Sequence, residues 1–262
     1  MTEELALIEK IGNVALITMN RPQAKNAINA DLAAAVGAAF AQVEADPEVR
    51  VTVLTGAGSA FSAGADLKAV AAGEPLLPKE YHKSGFGGFL RLGLLTKPVI
   101  AAVNGFALGG GTEIALACDL VVISEAATLG LPEVKRGLIA AGGALVRLPQ
   151  QIPTKLAMEA ALTGLPIDPA TALSWGLVNR IAPADKVVEV ALELAAAIAE
   201  NAPLAVQSSK RVINHGLGLD SESQVELWNY NDTEAYGNLK SEDAREGAMA
   251  FVQKRPPVWK GR

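Results

Sequence analysis

The stretch Asn104-Gly105-Phe106-Ala107-Leu108-Gly109-Gly110-Gly111-Thr112-Glu113-Ile114-Ala115-Leu116-Ala117-Cys118-Asp119 sets three glycines directly before a carboxylate, at the start of an apolar helix. Glycine lets the backbone come close to a ligand, and the unpaired N–H groups of a helix start can hold developing negative charge. Upstream, Pro98 to Val103 reads as a buried strand. Downstream, Leu120 to Ile123 reads as another, with the helix running from Gly111 to Cys118 between them. Strand, turn, helix and strand in so short a run predict a mainly parallel α/β core.

Two features make this stretch chemical as well as architectural. A second carboxylate follows in Leu131-Pro132-Glu133, and a second loop, Ser62-Ala63-Gly64-Ala65-Asp66, repeats the design of Leu108–Thr112. Both loops join an extended run to a helix start through small residues. Facing each other, they could offer one N–H each to a single carbonyl oxygen and stabilise an enolate or tetrahedral oxyanion, at roughly 3–4 kcal/mol of barrier per donor. Glu113 is flanked by Ile114, Ala115 and Leu116, and burial would raise its pKa and suit it to acid–base work. Taken singly, each feature has a plainer reading. The loops can be tight packing turns, Glu113 a first-turn acid that complements the helix dipole, and Glu133 a solvated residue paired with Lys135 or Arg136.

Outward from this centre, Leu5 to Glu9 and Val14 to Met19 are β-like and joined at Gly12-Asn13, a hairpin signal. Asn20-Arg21-Pro22 opens a loop that lasts to Asn26. A helical period covers Asp31 to Glu44 and a short β run covers Val49 to Leu54; Thr55 to Ala65 is a loop feeding a helix at Asp66. Residues 73–96 mix Pro, Gly, Tyr and Phe without period and are expected to form a variable, partly mobile segment over the site. Beyond Thr154 strands nearly vanish, Val178 to Ile181 being the last good one. Asp185 to Glu200, Pro203 to His215, Glu222 to Tyr236 and Glu242 to Lys254 read as helices. The expected organisation is a core with the active site over residues 1–195 and a helical region over 196–262.

Composition excludes several classes. The chain has 262 residues, half of them hydrophobic and 19% charged, with a net charge of −5. It can bury a sizeable core, and its acidity gives no general help in holding nucleic acid. Cys118 is the single cysteine, so an intrachain disulfide is excluded; its apolar neighbours suggest a packed thiol rather than a nucleophile. The opening Met1-Thr2-Glu3-Glu4 lacks a basic n-region, and the apolar stretch from Pro98 to Ile123 is broken by Asn104, Glu113, Asp119 and glycines. Neither a targeting peptide nor a membrane span is expected, and a cytoplasmic location is. Gly56-Ala57-Gly58 lacks the third glycine of a dinucleotide loop. His82 and His215 form no HxxxH or HExxH pattern, so no metal site is expected, and no GxSxG supports a hydrolase triad.

Together, Asn20-Arg21-Pro22, Phe61 through Lys68, Lys97 through Gly105, Gly109 through Glu113, Leu131-Pro132-Glu133, Gly142-Gly143 and Leu162-Thr163-Gly164 resemble the crotonase (enoyl-CoA hydratase/isomerase) superfamily. The resemblance spans nearly the whole chain in order. The C-terminal run Phe251 through Arg262 looks especially like the carnitinyl-CoA dehydratase branch. The resemblance implies a spiral of ββα units closed by C-terminal helices that build a trimer, commonly paired into a hexamer. It implies an oxyanion hole from the N–H groups of Ala65 and Gly110, and two acids, Glu113 and Glu133, that hold the attacking water, with Glu133 delivering the α-proton. Coenzyme A is implied along Ala24, Lys25 and Ala27 and against Ala63, Asp66 and Lys68, with Phe251 and Lys254 contributed by a neighbouring subunit. One departure touches acyl specificity: where many hydratases have a Pro-Gly-Ala-Gly-Gly-like run, this chain has Leu138-Ile139-Ala140-Ala141-Gly142-Gly143.

The expectation is therefore a hydro-lyase that adds water reversibly to a 2-enoyl-CoA, with no cofactor beyond the CoA moiety of the substrate. The alternatives within the family are carnitinyl-CoA dehydration, hydration of a bulky acyl-CoA, and enoyl-CoA isomerisation. From another class, a non-catalytic CoA- or RNA-binding relative is disfavoured by the acidity of the chain and the retention of both glutamates.

Overall fold

In the computed structural model, strands β1 (Ala6–Ile11) and β2 (Val14–Met19) form an antiparallel hairpin through Gly12, whose φ of +58° suits a residue without a side chain. The structure describes residues 4–76, 84–91, 95–217 and 225–260. The opening Met1-Thr2-Glu3, His82, the centre of the 73–96 segment, Glu222 at the expected helix start and the last two residues lie outside that set. From β2 the sheet continues in parallel through β3 (Val51–Gly56), β5 (Val99–Val103), β7 (Leu120–Ser124) and β9 (Arg180–Ala182). The central strands β3, β5 and β7 are almost wholly buried and rich in Val and Ile, as a sheet covered on both faces requires, whereas the edge strand β9 is largely exposed.

Alternation along the strands divides the core. Ala101 and Val103 face helix α1 (Ala30–Ala45), while Ile100 and Ala102 face helix α7 (Val187–Ala199). Asn29 caps α1, its side chain accepting the Leu32 N–H at 3.0 Å. Helix α7 buries Val187, Ala191, Ala195 and Ala199, one every fourth residue, so a single stripe lies on the sheet.

A second, parallel sheet of three very short strands lies beside the first: β4 (Ala60–Ser62), β6 (Phe106–Leu108) and β8 (Leu129–Gly130). Its existence exposes the repeat. Each unit gives a long strand to the large sheet, then a short strand to the small one, then a helical segment. The units are β3, β4 and α2 (Leu67–Ala71); β5, β6 and α3 (Gly110–Ala117); and β7, β8 and a 3-10 helix (Pro132–Arg136). This is the ββα spiral that the sequence resemblance implied. The small sheet is held by buried hydroxyls and by glycine. The Thr112 hydroxyl donates its one proton between the carbonyls of Ala107 and Gly130, 2.7 and 2.9 Å away, and accepts the Gly130 N–H, so it ties β6 to β8. Gly105 lies against the Ser59 carbonyl with no room for a Cβ.

Three helices fill the stretch where no helix was expected: α4 (Ala144–Gln151), α5 (Thr154–Thr163) and α6 (Pro169–Trp175). Helices α8 (Pro203–Gly216), α9 (Val225–Leu239) and α10 (Glu242–Val252) complete the chain. Among the described residues no helix is long and apolar enough to cross a membrane.

Candidate active site

The carboxyl ends of β4, β6 and β8 point to one place, and each delivers a functional element there. Beyond β4 comes Ala63-Gly64-Ala65 and then Asp66, which caps α2. Beyond β6 comes Gly109 and the first turn of α3. Beyond β8 comes the turn bearing Glu133. Ligands in such α/β arrangements gather outside the carboxyl ends of the strands.

The two glycine loops do face each other. A Cβ on Gly64 would stand 2.5 Å from the Leu108 carbonyl oxygen and 2.7 Å from the Gly110 nitrogen. Gly64 has a φ of +83° and Gly109 a φ of +55°, so both turns use the left-handed region that glycine occupies freely. Gly111 packs on the Ser62 carbonyl with the same lack of space. Gly110 opens α3, so its N–H has no intrahelical acceptor. Neither it nor the Ala65 N–H donates to a protein acceptor among the described residues. The Phe86 ring lies against Gly110, and a Cβ there would be 2.6 Å from the ring's Cζ.

Glu113, one turn into α3, is buried; its Oε1 accepts the Ala144 N–H at 3.0 Å where α4 begins. Gly142 passes directly over the same carboxylate, and a Cβ there would lie 2.9 Å from Glu113 Cδ. Burial pushes the Glu113 carboxyl well above the ordinary carboxylate range. The N–H groups of Ala144, Gly143 and Gly142 and the Arg147 guanidinium act against that rise. Glu133 leans on Gly109, where a Cβ would meet its Oε1 at 2.8 Å. Its Oε2 is buried and finds no hydrogen-bond partner among the described residues. Burial raises the Glu133 carboxyl, and the nearby Glu113 charge raises it further. Two acids of one site with raised pKa values titrate as a pair and can share a proton near neutral pH.

The expected CoA-binding residues fall into two groups. Ala24, Lys25 and Ala27 lie on the loop that pairs with the Gly64 turn: Ala63 donates to the Lys25 carbonyl at 2.9 Å and Ile28 to the Gly64 carbonyl at 2.7 Å. Lys25 and Asn26 both adopt φ of +54°, held by the buried Asn26 side chain, which donates to the carbonyls of Ala57 and Ala60. Asp66 is engaged internally. It caps α2 through the Lys68 and Ala69 N–H groups and pairs with Arg21 at 2.7 Å, which holds its carboxyl below the usual range against the burial that would raise it. Lys68 is exposed on α2. Phe251 and Lys254 stand apart at the end of α10, where the Arg136 guanidinium lies 5.0 Å from the Phe251 ring.

Helix α10 docks closely on the Glu133 turn. Gly247 lies on the Arg136 carbonyl with no room for a Cβ, and a Cβ on Gly137 would stand 2.7 Å from the Asp243 carbonyl carbon. With α9 it walls a cavity of about 1100 Å³ that reaches Gly142, Phe86, Trp228, Asp232 and Met249. Asn231 fastens α9 to the Ala141 carbonyl at 2.9 Å, and Asp232 pairs with Arg91 at 2.5 Å. The sequence reading missed this wall and missed Arg147, which is fully buried on α4. The sign was there: Arg147 sits between Val146 and Leu148, an ion inside an apolar run.

Comparison with known proteins bears on the family and the fold. The family model described as enoyl-CoA hydratase/isomerase matches residues 9–262. A carnitinyl-CoA dehydratase of Salmonella typhi is 42% identical over 264 residues, covering 100% of each chain. The crystal structure of a carnitinyl-CoA hydratase from Mycobacterium avium superposes with a TM-score of 0.94 at 50% identity, again over 100% of both chains. An enoyl-CoA hydratase structure from Mycobacterium tuberculosis H37Rv matches at a TM-score of 0.78 and 42% identity, covering 99% of this chain and 100% of that one. With a family model over nearly its whole length, relatives of 42% identity or more and a ββα spiral, the chain belongs to the enoyl-CoA hydratase/isomerase family, as a hydro-lyase of the crotonase fold.

Proposed function

We propose that the protein adds water reversibly, in syn fashion, across the double bond of a 2-enoyl-CoA. The observation that carries this reading is the convergence of two unused N–H donors and two raised carboxyls at the carboxyl ends of β4, β6 and β8. The N–H groups of Ala65 and Gly110 take the thioester oxygen and stabilise the enolate that forms as water adds. Ionised Glu113 accepts the proton of the attacking water, and protonated Glu133 gives its proton to the α-carbon. The thioester is the electron sink, so the residues named here need no cofactor beyond the CoA moiety of the substrate.

A second reading is carnitinyl-CoA dehydration, the same chemistry run on a different acyl group. It is favoured by the greater similarity to the carnitinyl-CoA hydratase structure than to the enoyl-CoA hydratase one. CoA would lie along Ala24, Lys25, Ala27, Ala63, Asp66 and Lys68, with Lys25 and Lys68 supplying positive charge. Phe251 and Lys254 would complete the nucleotide site of a neighbouring subunit. A homotrimer or a pair of trimers accounts for exposed apolar side chains on α5 and α8, among them Met158, Leu162, Leu204, Val212 and Ile213. The cytoplasm is the compartment we assign.

The test is loss of the conjugated enoyl-thioester absorbance with crotonyl-CoA, longer enoyl-CoAs and crotonobetainyl-CoA. Glu113→Gln and Glu133→Gln should each lose roughly 10²-fold or more. Turnover on no enoyl-CoA overturns the hydratase reading, and the ranking of substrates chooses between the two acyl classes.

A further inference from the structure

Arg147 is 1% exposed, and no carboxylate among the described residues lies within ion-pair distance of it. Its Nη2 donates to the Leu90 carbonyl, its Nη1 makes a long 3.5 Å bond to the Gly142 carbonyl, and its Nε has no partner among the described residues. Its Cζ stands 5.5 Å from the centre of the Trp228 ring. Two carbonyls and an aromatic face are thin compensation for a buried cation, which ordinarily demands a paired anion. The missing anion is close by. The Gly142–Ala144 loop is a thin glycine wall: a Cβ on Gly143 would stand 3.1 Å from Arg147 Cζ, and one on Gly142 would stand 2.9 Å from Glu113 Cδ. Glu113 and Arg147 therefore press on neighbouring glycines of one loop, with no side chain of Gly142 or Gly143 to hold them off.

We propose that Arg147 is a positioning residue that keeps Glu113 as the ionised member of the acid pair and so leaves the shared proton on Glu133. The proposal deepens the hydratase reading and rests on it, because that chemistry needs one carboxylate and one carboxylic acid. The other charged or titratable groups around the pair do not make this distinction. Cys118, at the end of α3, is held neutral by burial, so its thiol adds no charge. Asp232 on α9 is neutralised by Arg91. Glu133 itself, from the 3-10 helix, finds no hydrogen-bond partner for its buried Oε2 among the described residues. The asymmetry between the two glutamates thus comes from one side of the site, where the Ala144 N–H bonded to Glu113 and the Arg147 cation beyond the glycines both favour the ionised form of Glu113.

The experiment labels glutamate carboxyls with ¹³C in the full-length protein and follows the Glu113 and Glu133 carboxyls by NMR from acid to alkaline pH, independently of turnover. In Glu133→Gln the remaining Glu113 should ionise at lower pH than the remaining Glu133 does in Glu113→Gln. Arg147→Gln should raise the Glu113 titration by about one unit, and Arg147→Lys should restore it. The acid limb of kcat/KM should move with it, a loss of about tenfold below that limb. An unmoved Glu113 titration in Arg147→Gln, or a reversed order in the two glutamate variants, overturns the proposal. The glutamate variants carry the test alone if Arg147→Gln does not fold. Retained turnover in both glutamine variants would instead overturn the hydratase reading, whatever the order of titration.

Discussion

Gly142→Ala isolates the contribution of Glu113 placement. The backbone there lies outside the left-handed region, so an added methyl costs no backbone strain. What it meets is the carboxyl of Glu113, with Cδ only 2.9 Å away. Carbon atoms rest at about 3.5–4.0 Å, so the carboxyl must retreat by roughly 1 Å. That retreat breaks the bond from the Ala144 N–H, worth about 1 kcal/mol net, within an overpacking cost of about 1–3 kcal/mol. A misplacement near 1 Å can lower turnover by about 10²-fold. Steady-state hydration and urea unfolding should therefore separate: a severe loss of kcat/KM beside a modest loss of stability. Gly237→Ala is the control, since an added Cβ there meets nothing and a helix-interior alanine should stabilise by about 0.5–1 kcal/mol. Parent-like turnover in Gly142→Ala would show that Glu113 need not sit where the structure puts it.

Three further outcomes follow from the same geometry. Glu133→Gln should flatten the pH dependence of stability: a carboxyl raised by folding gives stability that is complete below its unfolded pKa and is lost as pH rises through the folded one, so urea melts of parent and variant should diverge toward alkaline pH. Equal slopes would mean that Glu133 is not raised. Gly64→Ala forces a side chain into a φ of +83° and against the Gly110 nitrogen; turnover should fall by roughly 10²-fold or more as the two donors are pushed apart, with stability lowered by about 1–3 kcal/mol. Gly247→Ala should lift α10 from the Arg136 carbonyl, and limited proteolysis should then cut within residues 225–260 while the sheet stays protected; an unchanged digestion pattern would refute the close docking.

The long elements were legible because several residues repeat one signal. Val14–Met19, the α1 region and Val51–Gly56 carry enough turns or alternations to declare themselves, and Asn29 and Asp66 cap where polar residues precede apolar helices. The small sheet was not legible. Strands such as Phe106–Leu108 and Leu129–Gly130 are too short to show a period, and only their pairing in space makes them strands. Helix α4 was hidden by its glycine approach and by Pro149 inside it. At the site, Glu113, the glycine turns and Glu133 could be found because their signals are local. The Gly142–Ala144 loop over Glu113, and the place of Arg147 beside it, depend on a fold that joins α3 to α4; the sequence marks Arg147 only as an ion inside an apolar run and says nothing of what it packs against.

The turn that carries Glu133 is braced by Asp243 and Gly247, far downstream in the chain. Synthesis therefore lays down both sheets and the oxyanion turns well before the surface that steadies the second acid leaves the ribosome. Catalytic competence should then arrive late and abruptly, after most of the polypeptide has already folded. A nascent chain ending before α10 would thus carry both sheets and the facing glycine turns without the surface that steadies Glu133.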